Sequence, residues 1–103
     1  MEIKDMLLSL CFNLNSIGFE YWITAISINQ NNYLKNSIEN VYEQVAKIHN
    51  TTRARVERAM RTARETATER IQEKYNYGLK LTNKSVLKLL SENIIYNHIP
   101  CID

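Results

Sequence analysis

Apolar side chains recur along this chain at intervals of three and four residues, the spacing of helices that bury one face. Ile3, Met6, Leu7, Leu10 and Leu14 predict a first helix from about Glu2 to Asn13, broken by Asn15, Ser16 and Gly18. A second is expected over Phe19 to Ile28, with Tyr21, Trp22, Ala25 and Ile26 inward and the polar cluster Asn29 to Asn32 at its end. Tyr33 to His49 suits one helix, or a short turn leading into one, with Leu34, Ile38, Val41, Val45 and Ile48 as its stripe. A long helix follows from Arg53 to about Glu73, about 30 Å at 1.5 Å per residue. Its inward positions are Val56, Ala59, Met60, Ala63 and Ala67. Lys74 to Leu81 alternates and carries an Asn-Tyr-Gly turn signal. It suits a small β-hairpin, a wing at 74–81, or an irregular loop, which is the preferred reading. Thr82 then caps a last helix, Asn83 to about Asn97, with Val86, Leu87, Leu90, Ile94 and Ile95 inward, and Pro100 closes the structured part. The pattern predicts an all-α fold, a compact helical bundle of about five helices in a single domain.

Composition supports helices over strands. Two glycines and one proline in 103 residues leave few tight turns for an all-β fold. That length builds one core without metal or disulfide support. Of the two cysteines, Cys11 falls in an apolar run and reads as a small core residue, while Cys101 follows Pro100 in the tail and reads as exposed. The apolar run Met6 to Phe12 is too short to span a bilayer and lacks the flanks of a signal peptide, so a soluble, cytoplasmic protein without membrane partners is expected. His98 and Cys101 are close in sequence, but no second ligand pair accompanies them, so no metal and no cofactor are expected.

Charge distribution sharpens the picture. The formal charge is only +2, yet every arginine lies between Arg53 and Arg70. From Arg53 to Arg64 there are five arginines against one acid, Glu57, a local charge of +4. This stretch opens after Asn50, a residue that tolerates left-handed backbone, and Thr52, a good N-cap, while Ala46 lets a second helix cross close by. A turn residue, a cap, a small contact residue and arginines in this order predict a DNA-binding helix-turn-helix at about 37–72. A solvated, salt-bridged helix is the bland alternative.

Helices of this kind present their first turns to base edges in the major groove. Arg53, Ala54, Glu57, Arg58 and Arg61 are expected on one outward face. Arg58 could pair with guanine, and Glu57 could accept from cytosine or hold Arg58 or Arg61 in place; a plain i,i+4 pair with Arg61 is compatible with either role. Thr51, Thr52, Arg53, Arg55 and Arg64 are better placed for phosphates. A wing would bring Lys74, Tyr77 and Lys80 to an adjacent minor groove. His49 reads as a cap or phosphate neighbour, the tyrosines and Trp22 as core. Neither a phosphate-cradling Gly-rich loop nor a nucleophile motif is present, so an enzyme is not expected.

The segment Asn50-Thr51-Thr52, then Arg55-Val56-Glu57-Arg58-Ala59 and Arg61, resembles the C-terminal effector domain of the sporulation master response regulator, stage-zero sporulation protein A. That family reads NTT, two variable residues, RVERA and then Arg. Ser37-Ile38, Ala46-Lys47, Gly18 with its following aromatic, Tyr21, Ala25-Ile26, Lys80 and Thr82-Asn83 match as well. The resemblance implies an all-helical domain reading a short operator through the major groove, with pairs of domains in tandem. It places Arg55, Glu57, Arg58 and Arg61 at the DNA interface, while Thr62 stands where the family commonly has His. The phosphorylatable receiver half has no counterpart in this sequence, so control by phosphorylation is expected to be missing. The segment after the long helix is shorter than the family's loop, and the stretch before Val45 needs a one-residue slip and lacks the family's Pro.

Three functions stay open at this point. One is a small transcription regulator working as a homodimer or tandem pair on double-stranded DNA. Another is a DNA-binding accessory protein of a mobile element, marking an origin, transfer, partition or recombination site. The last is a helical protein-interaction module whose arginines meet an acidic partner. Dimer contacts could come from the first or last helix, with Ile99 and Ile102 beyond it.

Overall fold

The computed structural model describes residues 3–32, 37–75 and 80–98, the side chains at 30–32 and 93–98 excepted. Five helices follow one another: α1 (Ile3–Ser9), α2 (Ile17–Asn32), α3 (Ile38–Ile48), α4 (Arg53–Tyr75) and α5 (Asn83–His98). No strand occurs among the described residues. Helix α4 runs through Tyr75, so Lys74 and Tyr75 are helical rather than part of a wing, while residues 76–79, with Tyr77, lie outside the described residues.

Local hydrogen bonding decides where each helix starts and stops. Helix α1 ends at Ser9, not Asn13, because the next residues close it with a left-handed stop. Cys11 has φ 68°, its N–H bonds to the Leu8 carbonyl at 3.1 Å, and the Phe12 N–H reaches back to the Leu7 carbonyl at 3.1 Å. Such 6→1 and 5→2 bonds define a Schellman motif. The reversal turns Cys11 outward and Phe12 inward, so the expectation of a core cysteine fails and Leu14, expected in the stripe, is 47% exposed. Ser16 caps α2, its hydroxyl accepting from the Phe19 N–H at 3.2 Å, so the helix begins before Gly18 rather than after it.

Asn29 does not end α2 either. It is buried and donates to the Ser91 hydroxyl at 3.0 Å, a polar pair between α2 and α5 satisfied within the core. Ser37 caps α3, accepting from the Asn40 N–H at 3.2 Å, which places the helix start well after Tyr33. Tyr33 and Leu34 lie outside the described residues, as do Ile99, Pro100, Cys101 and Ile102 and the side chains of Ile94, Ile95 and His98. Ile48, expected in the α3 stripe, is 63% exposed, since α3 stops there and Val45 and Ala46 make its inward contact instead. At the start of α5, Thr82 and Ser85 satisfy each other reciprocally. The Ser85 N–H donates to Thr82 Oγ1 at 3.1 Å, and the Thr82 N–H donates to Ser85 Oγ at 2.9 Å. This is a capping box with serine in the third position.

Helix α2 is the centre of the bundle, packed against all four other helices. Trp22 is fully buried on it and donates from Nε1 to the Met60 carbonyl of α4 at 2.9 Å. Phe12 meets the Trp22 ring edge-on, with centroids 5.8 Å apart. Around these rings lie Met6, Leu7, Leu10, Phe19, Ile26, Val41, Val45, Val56, Met60, Ile71 and Leu90. Each large apolar side chain so buried contributes about 1.5–3 kcal/mol. Gly18 lets α2 and α4 meet backbone to backbone, because a Cβ there would overlap the Ala59 carbonyl oxygen and sit 2.7 Å from the Ala63 Cβ.

Candidate nucleic-acid interface

Helices α3 and α4 are joined by residues 49–52 alone, and the N–H groups of His49, Asn50 and Thr51 all bond back to α3 carbonyls. Asn50 has φ 54°, its N–H bonds to the Lys47 carbonyl at 3.3 Å, and the Thr51 N–H bonds to the Ala46 carbonyl at 2.9 Å. Asn50 thus occupies the left-handed position of a second Schellman motif, the role expected of it. Thr52 caps α4 directly afterwards, with Oγ1 accepting from the Arg55 N–H at 3.3 Å and its carbonyl from the Val56 N–H at 3.0 Å. His49 braces the turn from behind. Its Nε2 lies 2.7 Å from Thr24 Oγ1, and its ring packs edge-on against Tyr21 with centroids 4.9 Å apart. Thr24 Oγ1 is also within hydrogen-bond distance of the Glu20 carbonyl, at 3.2 Å. The angle between α3 and α4 is therefore fixed by backbone bonds, two caps and a braced histidine.

Val56, Met60, Ala63, Ala67 and Ile71 of α4 are buried, which turns the opposite face outward. Arg53, Ala54, Glu57, Arg58 and Arg61 line one open groove with Glu39 and Tyr42 of α3, about 390 Å³ in volume. The five α4 positions expected to share a face do share it. Arg53, Arg55, Arg58, Arg61 and Thr62 are exposed, Thr51 and Glu57 half-buried. Arg53 and Arg55 stand about 200° apart around the helix at 3.6 residues per turn, so they diverge to opposite flanks. Arg61 Nη1 and Glu57 Oε1 pair at 3.1 Å, one turn apart on partly exposed side chains. An exposed i,i+4 pair contributes about 0.3–0.5 kcal/mol and is easily exchanged for another partner.

Arg64 is placed differently from the other arginines. It is half-buried, with Nε donating to Asn83 Oδ1 at 2.9 Å and Nη1 to the Leu81 carbonyl at 3.1 Å. Two of its five N–H donors are thus spent on the start of α5. Asn83 itself is buried, and its Nδ2 donates to the Tyr42 hydroxyl at 3.0 Å and to the Glu57 carbonyl at 3.3 Å. Burial pushes the Tyr42 hydroxyl pKa upward, partly opposed by the Asn83 hydrogen bond. Lys80 and Lys84 flank a second groove of about 510 Å³, which continues from the first past Arg61 and Arg64. Lys74 is exposed on the last turn of α4, its Nζ 5.8 Å from the Tyr75 ring centroid.

The sequence reading missed Glu39 and Tyr42 as walls of the groove, and Asn83 and Lys84 beside it. From sequence, Thr82 reads as a cap and Thr82-Asn83 as a match to the family, but the bonds Asn83 makes are to residues 19 to 41 positions away, beyond any local signal. Among the described residues, no group of three or more His, Cys, Asp and Glu side chains could hold a metal ion. No described helix is long and apolar enough to cross a membrane. The family model described as sporulation initiation factor Spo0A C terminal matches residues 3–94. No curated protein matches the chain.

Proposed function

The chain belongs to the Spo0A C-terminal family, a family of DNA-binding domains rather than of enzymes, and on that premise we propose that it reads a specific duplex sequence with α4. In this reading α3, the turn and α4 form a helix-turn-helix, and α4 enters the major groove. The observation that carries it is the groove that gathers Arg53, Ala54, Glu57, Arg58 and Arg61 on one face of a helix whose start is immobilised by its turn. Arg58, at the centre of that face, pairs with a guanine edge, a contact giving about 1–3 kcal/mol of discrimination. Glu57 and Arg61 either give up their mutual pair for base edges or keep it, Glu57 then holding Arg61 in position. Thr51, Thr52, Arg53 and Arg55 hold phosphates on the two sides of the groove and fix register without reading sequence. Lys80 adds cationic reach beside Arg61 and Arg64, and Lys74 adds charge on the last turn of α4. Arg64 is assigned to holding α5 rather than to a phosphate.

A single domain of this size covers a short site, so a homodimer or a tandem pair on double-stranded DNA supplies the affinity a regulator needs. Acting as a small transcription regulator in the cytoplasm is the function we assign. Selection of bound duplexes from a randomised pool tests it. Enrichment should converge on a guanine-containing motif, in one or two copies. A pool that binds but never converges would remove sequence-specific reading and leave backbone binding alone.

A further inference from the structure

Apart from the Trp22 Nε1 bond to the Met60 carbonyl, the inner packing surface of α4 is non-directional. Ala59 and Ala63 face Gly18 of α2, Ala67 adds to the core, and apolar contact of this kind tolerates small rolls and slides of a helix. Directional bonds from the outer flank of α4 come instead from one buried amide. Asn83 Nδ2 holds the Glu57 carbonyl, and Asn83 Oδ1 holds the Arg64 guanidinium, whose other arm grips the Leu81 carbonyl. Glu57 and Arg64 are seven residues apart, about 10 Å along the axis at 1.5 Å per residue. Both anchoring bonds converge on the one amide, so two turns of α4 are tied to the start of α5, and with the Nη1 grip on Leu81 this opposes tilt as well as roll. The same amide reaches Tyr42 of α3, so three helices meet at one side chain. Satisfied buried polar groups of this kind select a single arrangement among packings of similar energy.

Arg58 and Arg61 project from the helix between these two anchors, and base-edge hydrogen bonds require heavy-atom distances near 3 Å. We infer that Asn83, through Glu57 and Arg64, is a positioning residue for sequence recognition, holding α4 at the roll and tilt that lets its arginines meet base edges. The inference rests on the DNA reading proposed above. It separates two arginine roles on one helix: Arg64 serves geometry, while Arg53 and Arg55 serve charge. Phosphate contacts are longer-reaching and tolerate a small roll, so loss of the clamp should spare nonspecific binding.

The test uses Asn83→Ala and Arg64→Lys in the full chain, both keeping the net charge. Each is measured by fluorescence anisotropy on the duplex selected by wild type and on a scrambled duplex, across a salt series, well below its own melting temperature. Both variants should lose about tenfold in preference for the selected duplex, the loss of about one base contact. Affinity for the scrambled duplex and the salt slope should stay at wild-type values. If Asn83→Ala does not fold, Arg64→Lys decides alone, since lysine keeps the charge but cannot make the two-armed grip. A folded variant with lower melting temperature and wild-type preference overturns the inference and leaves DNA recognition intact. Failure of wild type to bind either duplex overturns the DNA reading and the inference with it.

Discussion

Gly18 of α2 lies directly on the carbonyl of Ala59 in α4, at the level of the helix that carries Arg58 and Arg61 on its other side. The absence of a side chain at Gly18 sets how deep α4 sits in the bundle. A Cβ there would meet the Ala59 backbone, which cannot swing aside as a flexible side-chain end could, and the Ala63 Cβ at 2.7 Å.

Gly18→Ala should therefore destabilise the fold although alanine is the better helix former. Overpacking a tight contact costs about 1–3 kcal/mol, against a propensity gain of about 1 kcal/mol. A drop of several degrees in the melting temperature followed by circular dichroism is expected, at about 4–8 °C per kcal/mol for a domain this size. An unchanged or raised melting temperature would show that the two helices can separate without cost.

Cys11 offers the opposite sign. It is exposed and holds φ 68° at the left-handed position of the stop that ends α1. A side chain at such a position is strained, whereas glycine is not. Cys11→Gly should stabilise the protein by about 0.5–1 kcal/mol, after allowing for glycine's greater freedom in the unfolded chain. Denaturant titration reads this as a higher midpoint with unchanged slope. A lower midpoint would mean that α1 does not end in this way.

Much of the interface was legible because its determinants are local. Asn50 and Thr52 act on backbone groups within five residues, and the 3.6-residue period alone places Arg53, Glu57, Arg58 and Arg61 on one side of α4. Periodicity fails where a helix stops. It carries α1 through Cys11 to about Asn13 and its stripe to Leu14, and α3's stripe out to Ile48, since spacing cannot register a left-handed stop or the end of a contact. Gly18 and Asn29 look like breakers by residue type, yet each has a long-range partner that keeps it inside α2, Ala59 for one and Ser91 for the other. Arg64 is indistinguishable from its neighbours in a list of arginines. Only the fold brings Asn83 and Leu81 to it.

The Tyr42 hydroxyl gives the network a pH signature. Its pKa is raised above the ordinary 10.0, first by burial, against the lowering effect of the Asn83 hydrogen bond. A raised value means the neutral form is favoured in the folded state. Stability from this group is thus fully present below the unfolded value and is lost as pH rises through the folded one. Tyr75 shifts upward as well, also by burial. Wild type should lose stability through the alkaline range above about pH 10, and Tyr42→Phe should lose less over the same interval, despite a lower starting stability at neutral pH. Melting temperatures of both proteins across that range check this. Identical alkaline losses would place Tyr42 ionisation outside the folding equilibrium.

In the proposed reading the arginines of α4 divide by role, Arg58 as a base reader and Arg53 as a phosphate contact. Both side chains are exposed, so replacing either with Ala should not disturb folding. The most direct measurement is anisotropy binding of wild type, Arg58→Ala and Arg53→Ala to the selected and scrambled duplexes across a salt series. The account predicts that Arg58→Ala falls toward equal affinity for the two duplexes. Arg53→Ala should weaken both alike and lower the salt slope by about one. Equal losses on both duplexes for Arg58→Ala would contradict sequence reading by α4, and the absence of salt-sensitive binding by wild type would contradict DNA binding altogether.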